Sequence, residues 1–171
     1  MSDKQQTVNE LVEELDALTI VAGKAVSLDG SLTENDCLVM AERFSFVRVS
    51  AGKFHLKIKM ISKDCWEVTG QISAKIIQSC VATGADVAEH ANADISERFV
   101  LNYHENDEID VTDSAVEPLI DGKIPIKEAV FQSLALAANP YPRRDDAPDN
   151  FEFGPKVEKR NPFSKLIHLK K

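Results

Sequence analysis

The chain has 171 residues, 43% of them apolar and 28% charged, with a formal net charge of −8. That length suits one domain with a core of its own, and the acidic balance argues against general affinity for polyanions. Three separated cysteines, Cys37, Cys65 and Cys80, with no CxxC spacing supply neither a zinc site nor a dithiol motif.

Free thiols fit a reducing cytosol. No basic start followed by an apolar run is present, and no stretch of 18 apolar residues, so the expectation is a cytoplasmic protein without a membrane partner. Charge is unevenly spread. Residues 43–63 hold six Lys and Arg and no acid, residues 84–121 hold eleven acids against Arg98 alone, and residues 156–171 hold six bases against one acid. The chain is a segmented polyampholyte with two basic stretches around an acidic one.

Residues 1–6 are polar. Val8, Leu11, Val12, Leu15 and Leu18 then recur at helical spacing, which predicts a short amphipathic helix, with an extended segment as the competing reading. Leu28-Asp29-Gly30-Ser31 reads as a turn. Thr33 is placed to cap a helix with Asp36 in the reciprocal position, and Leu38, Val39, Ala41 and Phe44 form its expected buried stripe. A strand is predicted from Phe46 to Val49, ending in a turn at Ala51-Gly52-Lys53. In the next strand Phe54, Leu56, Ile58 and Met60 alternate with His55, Lys57 and Lys59.

The strongest pattern is residues 66–81. Trp66, Val68, Ile72, Ala74, Ile76 and Cys80 fall on one side, and Glu67, Thr69, Gln71, Ser73, Lys75 and Ser79 on the other. A period of two with one apolar face is a half-buried strand. At roughly 50 Å it is long enough to predict a bend or bulge, with Gly70 the expected place. If the apolar sides of this strand and its hairpin partner turn inward, His55, Lys57, Lys59 and Lys75 share the outer face. Such a face is either simply solvated, the commoner case, or offered to an anion.

Residues 86–93 and 95–103 are predicted as two further antiparallel strands. Residues 104–113 form an acidic loop, and an extended piece near Pro118 ends at the Asp121-Gly122 turn. Pro125 opens the clearest helix, with Ile126, Val130, Phe131, Leu134 and Ala138 buried and Asn139-Pro140 as its stop. The layout is therefore a single α+β domain over residues 1–144, its pattern weakest over 1–30. An antiparallel, strongly twisted or barrel-like sheet is flanked by helices. A linker at 145–160 and a short basic amphipathic tail at 161–171 follow.

Catalytic signatures are missing. The seven glycines form no phosphate loop, and no GxSxG, HExxH or EF-hand spacing occurs. Cys80 with His90 or His104 has the residue types of a nucleophile and its base, but an isolated Cys at a strand end is more often a small core residue. Asp107, Glu108 and Asp110 contain metal-ligating oxygens, yet a solvated acidic loop is the commoner outcome. Trp66 reads as a core anchor rather than a base-stacking platform. These residues predict a binding protein without cofactor, metal or small-molecule substrate.

Two blocks carry a resemblance. One is residues 66–103, centred on V-T-G-Q-I-S-A-K-I-I-Q-S-C-V-A-T-G and closing with E-R-F-V-L-N-Y. The other is E-P-L-I-D-G-K-I-P-I from Glu117, the helix ending A-L-A-A-N-P-Y-P-R, and the terminal N-P-F-S-K-L. In this order they resemble the YceD family, the large ribosomal RNA subunit accumulation proteins, in their alphaproteobacterial form. The likeness runs from about Glu34 onward. It implies a non-catalytic role in making or stabilising the large-subunit (23S) ribosomal RNA. Many members carry Arg-Cys-Leu after the first Cys of the motif, and some have cysteines after the helix. Here stand Gln78-Ser79-Cys80-Val81 and Tyr141-Pro142-Arg143-Arg144, so no metal site carries over.

The leading expectation is a ribosome-assembly factor contacting precursor large-subunit RNA or a pre-50S particle. Phosphate contacts would come from Lys57, Lys59, Lys75, Arg143, Arg144, Lys165, Lys170 and Lys171, with His55 beside them. The alternative is an acidic module that escorts a basic ribosomal protein. Its contacts would come from Glu105, Asp107, Glu108 and Asp110 and from the apolar stripe Phe163, Leu166 and Ile167.

Overall fold

A computed structural model describes residues 10–101 and 116–148. Its frame is three consecutive 15-residue strands: β3 (Arg48–Ser62), β4 (Cys65–Ser79) and β5 (Asp86–Val100). Two short strands, β1 (Leu15–Asp16) and β7 (Lys123–Ile124), pair in a small ribbon. The main sheet has the order β2-β3-β4-β5-β6, with β2 (Ala25–Ser31) and β6 (Val116–Pro118) at its edges. All of its pairings are antiparallel except β5 with β6. The sheet stays open, and with α1 (Glu34–Phe44) and α2 (Ile126–Ala137) it makes the expected α+β fold.

Alternation decides which side of this sheet is covered. Trp66, Val68, Ile72, Ala74 and Ile76 of β4 are buried, as are Phe54, Leu56 and Ile58 of β3 and Ala91, Ile95 and Phe99 of β5. Trp66 stands between Met60 and Phe99, so three large apolar side chains, one from each strand, meet in one row. Burying each such apolar side chain contributes about 1.5–3 kcal/mol. Both helices pack on this side, α1 against β3 and α2 mainly against β5.

The strands run longer than their turn residues suggest. The bulge expected at Gly70 is not there: Leu56, Gly70 and Ile95 stay in register across β3, β4 and β5. Gly70 instead admits a close approach, since a Cβ built on it would lie 2.1 Å from the His55 carbonyl oxygen. The bulges fall in β3, between Ser50 and Lys53 and between Met60 and Ser62. Ala51-Gly52-Lys53, expected as a turn, lies inside the strand, with Ala51 at φ 52°. There the Gly52 carbonyl accepts from Leu32 N–H at 3.0 Å. Residues 86–100 form one strand rather than part of two, because the whole length is paired with β4. Leu28-Asp29-Gly30-Ser31 is likewise strand, held against Leu56, His55, Phe54 and Lys53. Ladder hydrogen bonds outweigh the local turn preference of Asp-Gly.

The helices divide the same way. Thr33 and Asp36 form the expected capping box. Yet α1 buries Asp36 and Met40, while Leu38 is 69% exposed and Val39 44%. The helix presents the 36/37/40/44 side to the sheet, so the expected Leu38–Val39 face points elsewhere. α2 buries Ile126, Val130, Phe131 and Leu134, with Ala138 just beyond it, as expected. The expected amphipathic helix before Leu18 does not form within the described residues. Leu15 and Asp16 pair with Ile124 and Lys123, and a single 3-10 turn, Ala17–Thr19, follows.

A buried charge ties these pieces together. Lys127 Nζ lies 3.2 Å from Asp36 Oδ1 and 2.6 Å from Glu13 Oε2, joining α2, α1 and the N-terminal segment. Burial pushes the Asp36 carboxyl up. The Thr33 hydroxyl and N–H and the Lys127 ammonium outweigh it, and hold the group below the usual carboxylate range.

Candidate nucleic-acid interface

The side of the sheet away from the helices is polar and open. Cross-strand register lays its side chains out in rows. One row is Ala25, Lys59, Glu67, Arg98; the next is Ser27, Lys57, Thr69, Ser96. Then come Asp29, His55, Gln71, Asp94, and after it Ser31, Lys53, Ser73, Asn92. Beyond the bulge Lys75 stands beside Ser50 and His90. From the Lys59 row to the Lys75 row there are five cations (Lys53, Lys57, Lys59, Lys75, Arg98) against three carboxylates (Asp29, Glu67, Asp94). His55, Lys57, Lys59 and Lys75 therefore share one exposed face, in a molecule whose net charge is −8.

They do not share one electrostatic state. Lys59 Nζ lies 2.7 Å from Glu67 Oε2, and Arg98 Nε lies 3.6 Å from the other oxygen of the same carboxylate. The Lys59 hydrogen bond, against a smaller burial cost and aided by Arg98, holds the Glu67 carboxyl below its usual range. His55 Nδ1 is paired with Asp29 Oδ1, and Gln71 Nε2 donates to Asp94 Oδ1 at 2.9 Å. Lys53, Lys57 and Lys75 form no ion pair among the described residues. Their neighbours across the strands are Ser31, Ser73, Ser27, Thr69, Ser50 and His90. Three ammonium groups are thus set among hydroxyl and imidazole groups.

Two depressions follow this stripe. One of about 550 Å³ is lined by Lys53, His55, Gln71, Ser73, Asn92 and Asp94. Another of about 440 Å³ lies among Arg48, Ser50, Lys75, Ile77, Ala88 and His90. Lys53 and Arg48 were not among the expected contacts. Reading Lys53 as a turn residue hid its place on the strand, and Arg48 belongs to the same row as Ile77, which only the bulge aligns. No Phe, Tyr or Trp occupies these rows, so what the face offers is fixed positive charge and hydrogen-bonding groups rather than base-stacking planes.

Arg143 and Arg144 stand elsewhere. Arg143 donates to the carbonyls of Ala147 and Pro148 at 3.3 and 2.5 Å, and Arg144 is paired with Asp146 at 2.7 Å. Both border the start of β5, near Asp86 and Ala88. The first residues of the expected linker, 145–148, thus close a turn on this arginine pair and bury Ala147. Glu105, Asp107, Glu108, Asp110, Phe163, Lys165, Leu166, Ile167, Lys170 and Lys171 lie outside the described residues.

Cys80 is buried but stands apart from the hydrophobic core cluster. The Thr83 hydroxyl, then the backbone N–H of Arg144, and those of Ala82 and Thr83 favour its thiolate, and lower its pKa to about 7. It is the small buried residue expected, and its thiol also meets the polar groups of the turn that follows β4. Among the described residues, no three His, Cys, Asp or Glu side chains gather as a metal site. No helix there is long and apolar enough to cross a membrane. The chain matches no family description, no curated protein and no solved structure.

Proposed function

We propose that this chain is a non-catalytic ribosome-biogenesis factor that supports the synthesis, processing or stability of large-subunit (23S) ribosomal RNA. On this reading it holds precursor RNA, free or within a pre-50S particle, against the outer face of its sheet. The role comes from the resemblance to the YceD family. The observation that supports the place is the trio Lys53, Lys57 and Lys75, exposed on one open surface without carboxylate partners. Ammonium groups a few residues apart on a rigid sheet suit a phosphodiester backbone, whose neutralisation releases counterions. With no Phe, Tyr or Trp in the rows, the surface discriminates chiefly by shape and charge.

The test is equilibrium binding of the full chain to a large-subunit RNA fragment over a range of salt. Affinity should fall steeply with salt. A Lys57→Glu/Lys75→Glu double variant should flatten the slope by roughly two phosphate contacts. Binding indifferent to salt, or unchanged in the double variant, would remove the outer face from the reading. Crosslinking in growing cells, followed by sequencing of the attached RNA, tests the role. Signal concentrated on 23S sequence supports it. Recovery of a basic ribosomal protein with no RNA would instead favour the acidic escort.

A further inference from the structure

Among the described residues, the β5 edge of the sheet is mostly without a paired strand. β6 pairs with β5 only at Arg98, Phe99 and Val100, which leaves residues 86–97 of β5 without a strand beside them among the described residues. Open edges of this length usually carry a proline, a bulge, an edge lysine or inward-pointing charges that block pairing. This one has no proline, bulge or lysine, and its register with β4 runs unbroken from Asp86 to Val100. The inward acids Glu89 and Glu97 sit beneath the strand. Glu89 accepts from Asn139 N–H and from Gln78 Nε2, at 3.2 and 2.7 Å. Glu97 is half-buried.

The backbone fixes which residues face outward along the edge. The Val100 carbonyl accepts from Leu119 N–H on the β6 side, whereas Leu101 N–H donates towards β4, to the Asp64 carbonyl. Because N–H and C=O groups alternate sides along a strand, Ala88, His90, Asn92, Asp94 and Ser96 present theirs at the open edge. Their side chains all stand on the outer face.

We infer that a second copy of this chain pairs antiparallel along residues 88–96, about a two-fold axis at Asn92. In that register Asn92 meets Asn92 of the second copy, Ala88 meets Ser96, and His90 meets Asp94 twice by symmetry. The strand is self-complementary, which is what an isologous contact requires. Asp94 takes Gln71 on one oxygen, leaving the other for the imidazole N–H. On the inner side Ala91 meets Ala93 and Glu89 meets Ile95. Moving the axis to Ala93 would set Glu89 against Glu97, and moving it to Ala91 would part His90 from Asp94. The pairing does not depend on what the outer face binds.

Sedimentation of the full chain over a wide concentration range tests this. A monomer–dimer equilibrium is expected. His90→Asp, which opposes two carboxylates at two symmetric contacts, should weaken it about tenfold. The exchanged pair H90D/D94H should restore it. Register is read by oxidative crosslinking: N92C should give a covalent dimer through the axis, and S96C, facing Ala88, should stay at the background of the native cysteines. A monomer at every concentration overturns the inference. So does a dimer indifferent to H90D, or one in which S96C crosslinks as readily as N92C.

Discussion

Lys59 and Lys57 are neighbours in the same strand, both exposed, two residues apart on the same face, and yet they differ in kind. Lys59 faces Glu67, which also holds Arg98, so its ammonium is already engaged inside the molecule. Lys57 faces Thr69 on one side and Ser27 on the other, and keeps its charge for solvent or a ligand. The same division separates His55, opposite Asp29, from Lys75, beside Ser50 and His90. A basic stretch in a sequence counts cations, whereas the sheet decides by cross-strand adjacency which of them remain available.

The largest effect should come from removing the register that creates the contrast. Gly70→Ala drives a methyl group into the β3 backbone, 2.1 Å from the His55 carbonyl oxygen and 2.9 Å from Leu56 Cα. The two strands must separate there, and urea denaturation should show a loss of about 3 kcal/mol. An unchanged midpoint would mean that the rows are not held as described.

Next comes the buried counterpart of the surface pairs. Asp36→Asn removes the charge that Thr33 and Lys127 stabilise, and should cost about 1–3 kcal/mol at neutral pH. The sign follows from the lowered carboxyl. Its stabilisation is complete above the unfolded value near 3.9, and drains away as pH falls through the lower folded range. Stability curves of wild type and variant should therefore converge in strong acid. Parallel curves down to low pH would show that the charge contributes nothing.

The contrast itself is tested by single reversals. Lys57→Glu should weaken RNA binding by about tenfold, because it replaces a free phosphate contact with a repulsive charge. Neutralising Lys59→Gln should change it much less, since that ammonium is already held by Glu67. Equal losses in an anisotropy titration would erase the distinction between the two lysines. The smallest expected effect is a gain: Glu67→Gln frees Lys59 and Arg98, and should tighten RNA binding by roughly two- to threefold at low salt. Weaker binding would indicate that the pair orients Lys59 usefully.

Much of the fold was legible because it rests on local pattern. The period of two in residues 66–79, the Thr33–Asp36 box, the Asp121-Gly122 turn with both residues at positive φ, and the α2 stripe all formed as read. What misled were residues whose local preference is overruled by pairing. Asp29-Gly30 looks like a turn and is strand, because it is paired along β3; Ala51-Gly52-Lys53 looks like a turn and is a bulge inside β3, where the Gly52 carbonyl accepts from Leu32 N–H. Leu38 and Val39 look buried and are exposed, because the orientation of α1 is set by Met40 and by the Asp36–Lys127 pair.

The candidate site divides along the same line. Alternation alone put His55, Lys57, Lys59 and Lys75 on one polar side of a sheet, because a strand's geometry sends every second side chain the same way. Which of those cations keeps a free charge, that Lys53 and Arg48 join them, and that the buried Cys80 sits among N–H donors were settled only in three dimensions. Each depends on a partner far away in the chain, and only the packed structure sets that separation to the few ångströms over which a hydrogen bond or ion pair acts.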